Sequence, residues 1–275
     1  MKDELPGKIA KWLKVQGYPL EMTVAAALRK DNFYTNQGFY YSDPETNTSR
    51  EIDIIATKTD AFGLFQVEFV VECKSSLDKP WVLFTSDSNE LGKNIFQNYA
   101  MLSNLADKKL RHKLFTGVTD KNKENDKASI LSLPWLKQQS QAYGVAAAFS
   151  SGSSDDPAYK AIMSALKAAL YLNRSQEENN PYSLRFVFPI VVLDGRLFEA
   201  FLSSDGKTVI REVKEGFVSY FKTIAGFPCC AVHLITADKL TSFCREAMEA
   251  ANQIEVLLKS DIEEMSNNLS KTSSE

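Results

Sequence analysis

Two apolar, strand-like segments carry charges where a buried strand should have none. Arg50 to Ala56 reads Arg-Glu-Ile-Asp-Ile-Ile-Ala, and Val67 to Ser76 reads Val-Glu-Phe-Val-Val-Glu-Cys-Lys-Ser-Ser. A short turn region from Asp60 to Gly63 separates them. Alternate residues of a strand share a face. Glu68, Val70, Glu72 and Lys74 therefore point one way, and Phe69, Val71 and Cys73 the other. Glu51 and Asp53 share a face in the same way, with Ile52 and Ile54 opposite. Taking an ion out of water without a partner costs several kcal/mol. Asp53, Glu72 and Lys74, at the ends of core-like strands, must answer one another or a common ligand.

A divalent cation is one answer, because Mg²⁺ takes a few carboxylate oxygens and keeps some of its water. Such an ion polarises a phosphoryl oxygen and lowers the pKa of bound water. Lys74, two residues past Glu72 on the same face, is placed to position water or to offset phosphate charge. A structural ion pair at a sheet end is the other answer.

Asp53, an eighteen-residue gap and then Glu72-Cys73-Lys74 resemble the Asp…Glu-x-Lys signature of the PD-(D/E)xK nuclease superfamily. The resemblance implies a restriction-endonuclease-like fold in which Asp53 and Glu72 bind Mg²⁺, with Mn²⁺ as a substitute. It also implies that the Cys73 carbonyl adds a metal ligand and that Lys74 assists phosphodiester hydrolysis. Ile52 stands where that family often has proline. A helix before the core commonly carries a metal-site Glu in that family, and Glu21 matches it; an acidic residue also simply suits a helix start. Gln97 lacks a Tyr four residues on, since position 101 is Met, and receives no role. Glu51 and Glu68 are read as solvated or as supporting the site.

The expected fold class is α/β: a restriction-endonuclease-like core with a mixed central sheet flanked by helices, and an extended β-rich C-terminal half. One domain is expected over 1–265, with a core of about 5–150, an extension of about 151–265 and a flexible tail over 266–275. An apolar stripe of Ile9, Trp12, Leu13 and Val15 suggests a first helix, broken at Gly17-Tyr18-Pro19. Further helices are expected near 20–31, 90–105, 157–173 and 239–259, the third capped by Asp156 with Pro157 at its first position. Strands are expected near 33–42, 143–149, 184–193, 197–202, 208–213 and 231–236. Ser75 to Pro80 reads as a loop, 174–180 as a polar linker and Asp194-Gly195 as a hairpin turn.

A 44% hydrophobic and 24% charged composition is that of an ordinary globular protein, and no run of apolar residues suits a bilayer span. The N-terminus lacks the apolar stretch of a secretory signal, so a cytoplasmic location is expected, with Cys73, Cys229, Cys230 and Cys244 reduced. A net charge of −3 argues against wholesale coating of nucleic acid. Residues 107 to 127 nevertheless hold seven Lys or Arg against four acids, and Lys108, Lys109, Arg111 and Lys113 are candidates for backbone phosphates. His112 has no metal-ligand spacing, and His233 reads as a core histidine, so a Ser or Cys nucleophile lacks a base. The expected function is a Mg²⁺-dependent DNA endonuclease; the alternative is a non-cleaving module of the same fold that binds nucleic acid or a protein. A homo-oligomer, or a defence or repair partner, enters only by analogy.

Overall fold

A computed structural model of the chain describes residues 4–13, 16–86, 99–115, 141–150, 156–219 and 223–272. Two helices, α1 (Glu4–Leu13) and α2 (Tyr18–Lys30), lead into a meander of β1 (Tyr34–Ser42), β2 (Ser49–Thr59) and β3 (Phe65–Thr85). Next come β4 (Met101–Leu102), α3 (Asn104–Phe115), β5 (Ala142–Ala147), α4 (Pro157–Asn179) and β6 (Leu184–Leu202). The chain continues through β7 (Thr208–Val213), β8 (Glu215–Val218), β9 (Thr223–Ile224), β10 (Phe227–Pro228) and β11 (Val232–Thr236). A 3-10 turn (Ala237–Lys239) then opens α5 (Leu240–Thr272).

β1, β2 and β3 pair antiparallel in succession, β6 lies parallel to β3, and β11 lies parallel to β6. This is a mixed α/β architecture with helices on both faces of the sheet. β3 and β6 are long because every second residue is apolar on both faces. Phe186, Phe188, Ile190 and Val192 enter one core, while Val187, Val191 and Leu193 enter the other. The first core is covered by α2 (Val24, Leu28) and α5 (Phe243, Ala247, Leu258), the second by α4 (Ala161, Ala165, Leu166, Ala169). At its centre Phe69 stacks on Phe188 at 5.1 Å and meets Phe33 edge-on at 5.4 Å. Asp156 caps α4 as expected, accepting from the backbone N–H of Ala158 at 2.8 Å.

Several sequence expectations are corrected. Ser75 to Pro80 is not a loop: β3 runs through it, with an irregular register between Ser76 and Trp81. Asp194-Gly195 is not a hairpin, because β6 continues from Leu184 to Leu202 beside β3. A Cβ on Gly195 would stand 2.6 Å from the Ser76 carbonyl oxygen, so this glycine permits close approach of two backbones instead of a turn. The polar 174–180 segment is mostly helical, since α4 reaches Asn179. α5 extends to Thr272, past the expected frayed start at Ser266. Met101 and Leu102 are strand and not part of the helix expected over 90–105; residues 87–98 lie outside the described set, as does Val15. Of the N-terminal stripe, Ile9 and Trp12 are exposed and α1 buries no residue.

Candidate functional site

Pairing between β2 and β3 stops at Ile54 and Val71, one residue short of Asp53 and Glu72. Pairing between β1 and β2 also skips this point, passing from Gln37 and Ile54 to Phe39 and Ile52. Gly38, opposite Asp53, takes the left-handed conformation, φ +65°. The face alternation breaks here: Ile54 packs beneath α2 and α5 but Ile52 beneath α4, against the expectation that they share a face. Freed from the ladder, Asp53 turns its Oδ2 onto the Cys73 backbone N–H at 2.6 Å. The N–H and C=O of one strand residue face the same edge, so the Cys73 carbonyl is turned to the Asp53 side. The Cys73 side chain is buried in the opposite core.

Lys74 Nζ lies 2.6 Å from Glu72 Oε1, with Glu72 buried and the Lys74 side chain 37% exposed. Glu21, in the first turn of α2, joins this group, as do Glu51 on β2 and Ser164 of α4. The site therefore lies where β3 passes between the start of α2 and the middle of α4. Burial and then the Asp53 charge push Glu72 up to about 7, while the Ser164 hydroxyl and Lys74 pull the other way. Burial also raises Asp53, against the pull of the Cys73 N–H and of Lys74. Glu21 is raised by burial and by its neighbours Asp53 and Glu51. Burial works against the Lys74 ammonium, but Glu72 and Asp53 overcome it and raise its pKa.

Among the described residues no group of three or more His, Cys, Asp and Glu side chains is placed to hold a metal ion. What the site does offer is an oxygen donor set, Asp53, Glu72 and the Cys73 carbonyl, with Glu21 at its margin. Those are hard donors of the kind Mg²⁺ and Mn²⁺ take, and crowded carboxylates are the groups such an ion would relieve.

Glu68 is corrected from solvated to buried: it faces Arg185, 2% exposed, across 3.6 Å. Of the basic candidates, Lys109 is held by Asp261 at 2.8 Å on α5, and Arg111 by Asp107 at 2.8 Å. Lys108 is exposed; the side chains of Lys113 and His112 lie outside the described residues. His233 is the buried core residue expected, stacked on Phe217 at 4.3 Å with Nε2 3.1 Å from Glu215. A cleft of about 650 Å³, lined in part by Arg111, Asn173, Arg174 and Phe227, opens beside β4. β4 pairs with Phe186 and Val187, whereas Glu72 stands beside Val191, so the cleft is roughly 15 Å along the strand from the Glu72 carboxylate.

Sequence reasoning did not find Ser164 or Tyr41. The Tyr41 hydroxyl donates to the Ser164 carbonyl at 3.4 Å, and Tyr41 is near enough to Glu72 to feel its charge. Only the packing of α4 on the sheet brings them to the site. No family model, curated protein or solved structure matches this chain.

Proposed function

We propose that the chain is a metal-dependent phosphodiesterase acting on DNA, an endonuclease of the PD-(D/E)xK type. The reading is carried by the convergence of Asp53, Glu72 and Lys74 at the point where β2 leaves β3. A large mixed sheet flanked by helices, entered through a helix and three successive strands, supports the reading. Asp53, Glu72 and the Cys73 carbonyl would hold Mg²⁺ or Mn²⁺, which supplies Lewis acidity toward a phosphoryl oxygen and a more acidic water.

The chain's own groups do the rest. Lys74 keeps its proton in this acidic setting and remains part-exposed, so its ammonium donates to a phosphate oxygen or an attacking water. Ser164 and Lys74 both hold the Glu72 carboxylate. The Cys73 N–H does the same for Asp53.

The test is cleavage of single-stranded, duplex and branched DNA, and of RNA, with Mg²⁺ or Mn²⁺. Asp53→Ala, Glu72→Ala and Lys74→Ala are each expected to lower the rate by at least about a hundred-fold while circular dichroism is unchanged. If the wild type cuts none of these substrates with either metal, the hydrolase reading fails.

A further inference from the structure

Two tyrosines beside the carboxylates leave most of their rings in water. Tyr40 is 64% exposed and Tyr18 56% exposed. Tyr40 stands directly across the β1–β2 ladder from Glu51, which is two residues from Asp53 along β2. Opposed residues lie about 5 Å apart and two residues span about 7 Å, so the Tyr40 ring is roughly one nucleotide's reach from Asp53. Tyr18 opens α2 three residues before Glu21, which places both on one helical face. Tyr18 and Tyr40 are close enough to influence one another, as Glu21 is to Asp53, Glu51 and Lys74.

The glycines around them keep this margin open. A Cβ on Gly17 would meet Glu21 Oε1 at 3.2 Å, and one on Gly38 would meet Glu51 Oε1 at 3.1 Å.

The charge around these rings decides what they are for. Glu21, Glu51, Asp53 and Glu72 face the site with Lys74. Duplex binding rests on many Lys or Arg contacts to phosphate, and among these described site residues Lys74 is the cation. Single-stranded sites add to backbone charge the stacking of bases on aromatic rings, worth about 1–3 kcal/mol per base and indifferent to sequence. Bases inside a duplex are unavailable to an exposed ring unless they are unstacked at a cost of a few kcal/mol. Resting on the phosphodiesterase reading above, we propose that Tyr18 and Tyr40 form a stacking platform for unpaired nucleobases, making a single-stranded segment the substrate of this site.

The experiment is fluorescence anisotropy with a labelled oligo(dT) and a blunt duplex of equal length, with Ca²⁺ in place of Mg²⁺, followed by cleavage of both in Mg²⁺. Wild-type protein should bind oligo(dT) about ten-fold or more tighter than duplex. Tyr18→Ala with Tyr40→Ala should weaken oligo(dT) binding by about ten- to hundred-fold and leave duplex binding unchanged, with the fold checked by circular dichroism. Tyr18→Phe with Tyr40→Phe should retain the affinity, because the ring is kept. The platform is overturned if wild type binds the two probes equally or binds neither. It is equally overturned if the alanine pair binds oligo(dT) like wild type, or if the phenylalanine pair loses as much as the alanine pair. Tyrosine-dependent binding without any cleavage would leave the platform standing and remove the hydrolase reading. Equal cutting of both probes by wild type and by the alanine pair would do the reverse.

Discussion

Asp43 is fully buried yet ionised, and the reason is its partners. It accepts from the Glu45 N–H at 2.9 Å, from Arg50 Nε at 2.8 Å and from Lys167 Nζ at 3.0 Å. Burial opposes its charge, but these contacts prevail and lower its pKa to about 2. A carboxyl depressed below its unfolded value adds stability at neutral pH that is lost as pH falls from about 4 through 2, here roughly 2 kcal/mol. Urea midpoints followed from pH 6 to pH 2 should fall over that window, and Asp43→Asn should flatten the fall. Asp43→Ala should cost about 1–3 kcal/mol at neutral pH, because the Glu45 N–H and Arg50 lose their acceptor while Lys167 keeps only the more exposed Glu45 carboxylate at 2.8 Å. At this scale the sequence spoke only where chemistry was out of place. Asp53, Glu72 and Lys74 are anomalous in apolar strands and could be singled out. Asp43 sits before Pro44 in what reads as an ordinary turn, and Ser164 is one polar residue on a helix; both acquire meaning only when α4 docks.

Turn signals misled at the level of elements for a physical reason. Asp-Gly favours a hairpin when the flanking strands must pair with each other. In β6 they do not, because β3 offers a longer parallel partner from Phe65 to Phe84. Glycine at 195 then serves proximity, with its missing Cβ only 2.6 Å from the Ser76 carbonyl oxygen. Gly195→Ala should therefore destabilise by about 1–3 kcal/mol through displaced backbone, seen as a lower thermal midpoint. A true turn glycine with left-handed φ and open space, such as Gly206, should respond to alanine by about 1 kcal/mol and without disturbing β3. The strands around 52–56 and 67–73 were legible because their apolar character is dense and β-branched. Their continuation through Ser75–Pro80 was not: Ser75 and Ser76 hold strand geometry by pairing with Asp194 and Gly195 instead of by propensity, and the register is irregular from there to Trp81.

The pairings also close on themselves. β3 joins β6, β6 joins β11, β11 joins β8, β8 joins β5, and β5 returns to the far end of β3. Leu83 on that far end packs against Gly216, where a larger residue would meet it. No local sequence pattern encodes such a circuit, because each closing pair is distant along the chain. Its rim is chemically tuned by His233, whose pKa burial pushes below the usual histidine value despite the pull of Glu215. The unfolded chain thus takes up this proton more readily than the folded one, so the His233 contribution to stability should fall as pH drops below about 6.5, while Glu72, raised to about 7, contributes in the opposite direction. β1, by contrast, pairs among the described residues only with β2 and exposes most of its residues. Native-state hydrogen exchange should therefore divide the molecule. Amides of Val187–Leu193 and Val232–Ile235 should open only with global unfolding, and those of Tyr34–Ser42 by smaller, local openings. Between pH 7 and 5, protection in the first group should change by the same free energy as global stability, since His233 belongs to that unit. Protection of β1 equal to that of β6 would show that the edge and the circuit open together, and that the carboxylates of β2 are held by the whole molecule instead of by one splayed pair of strands.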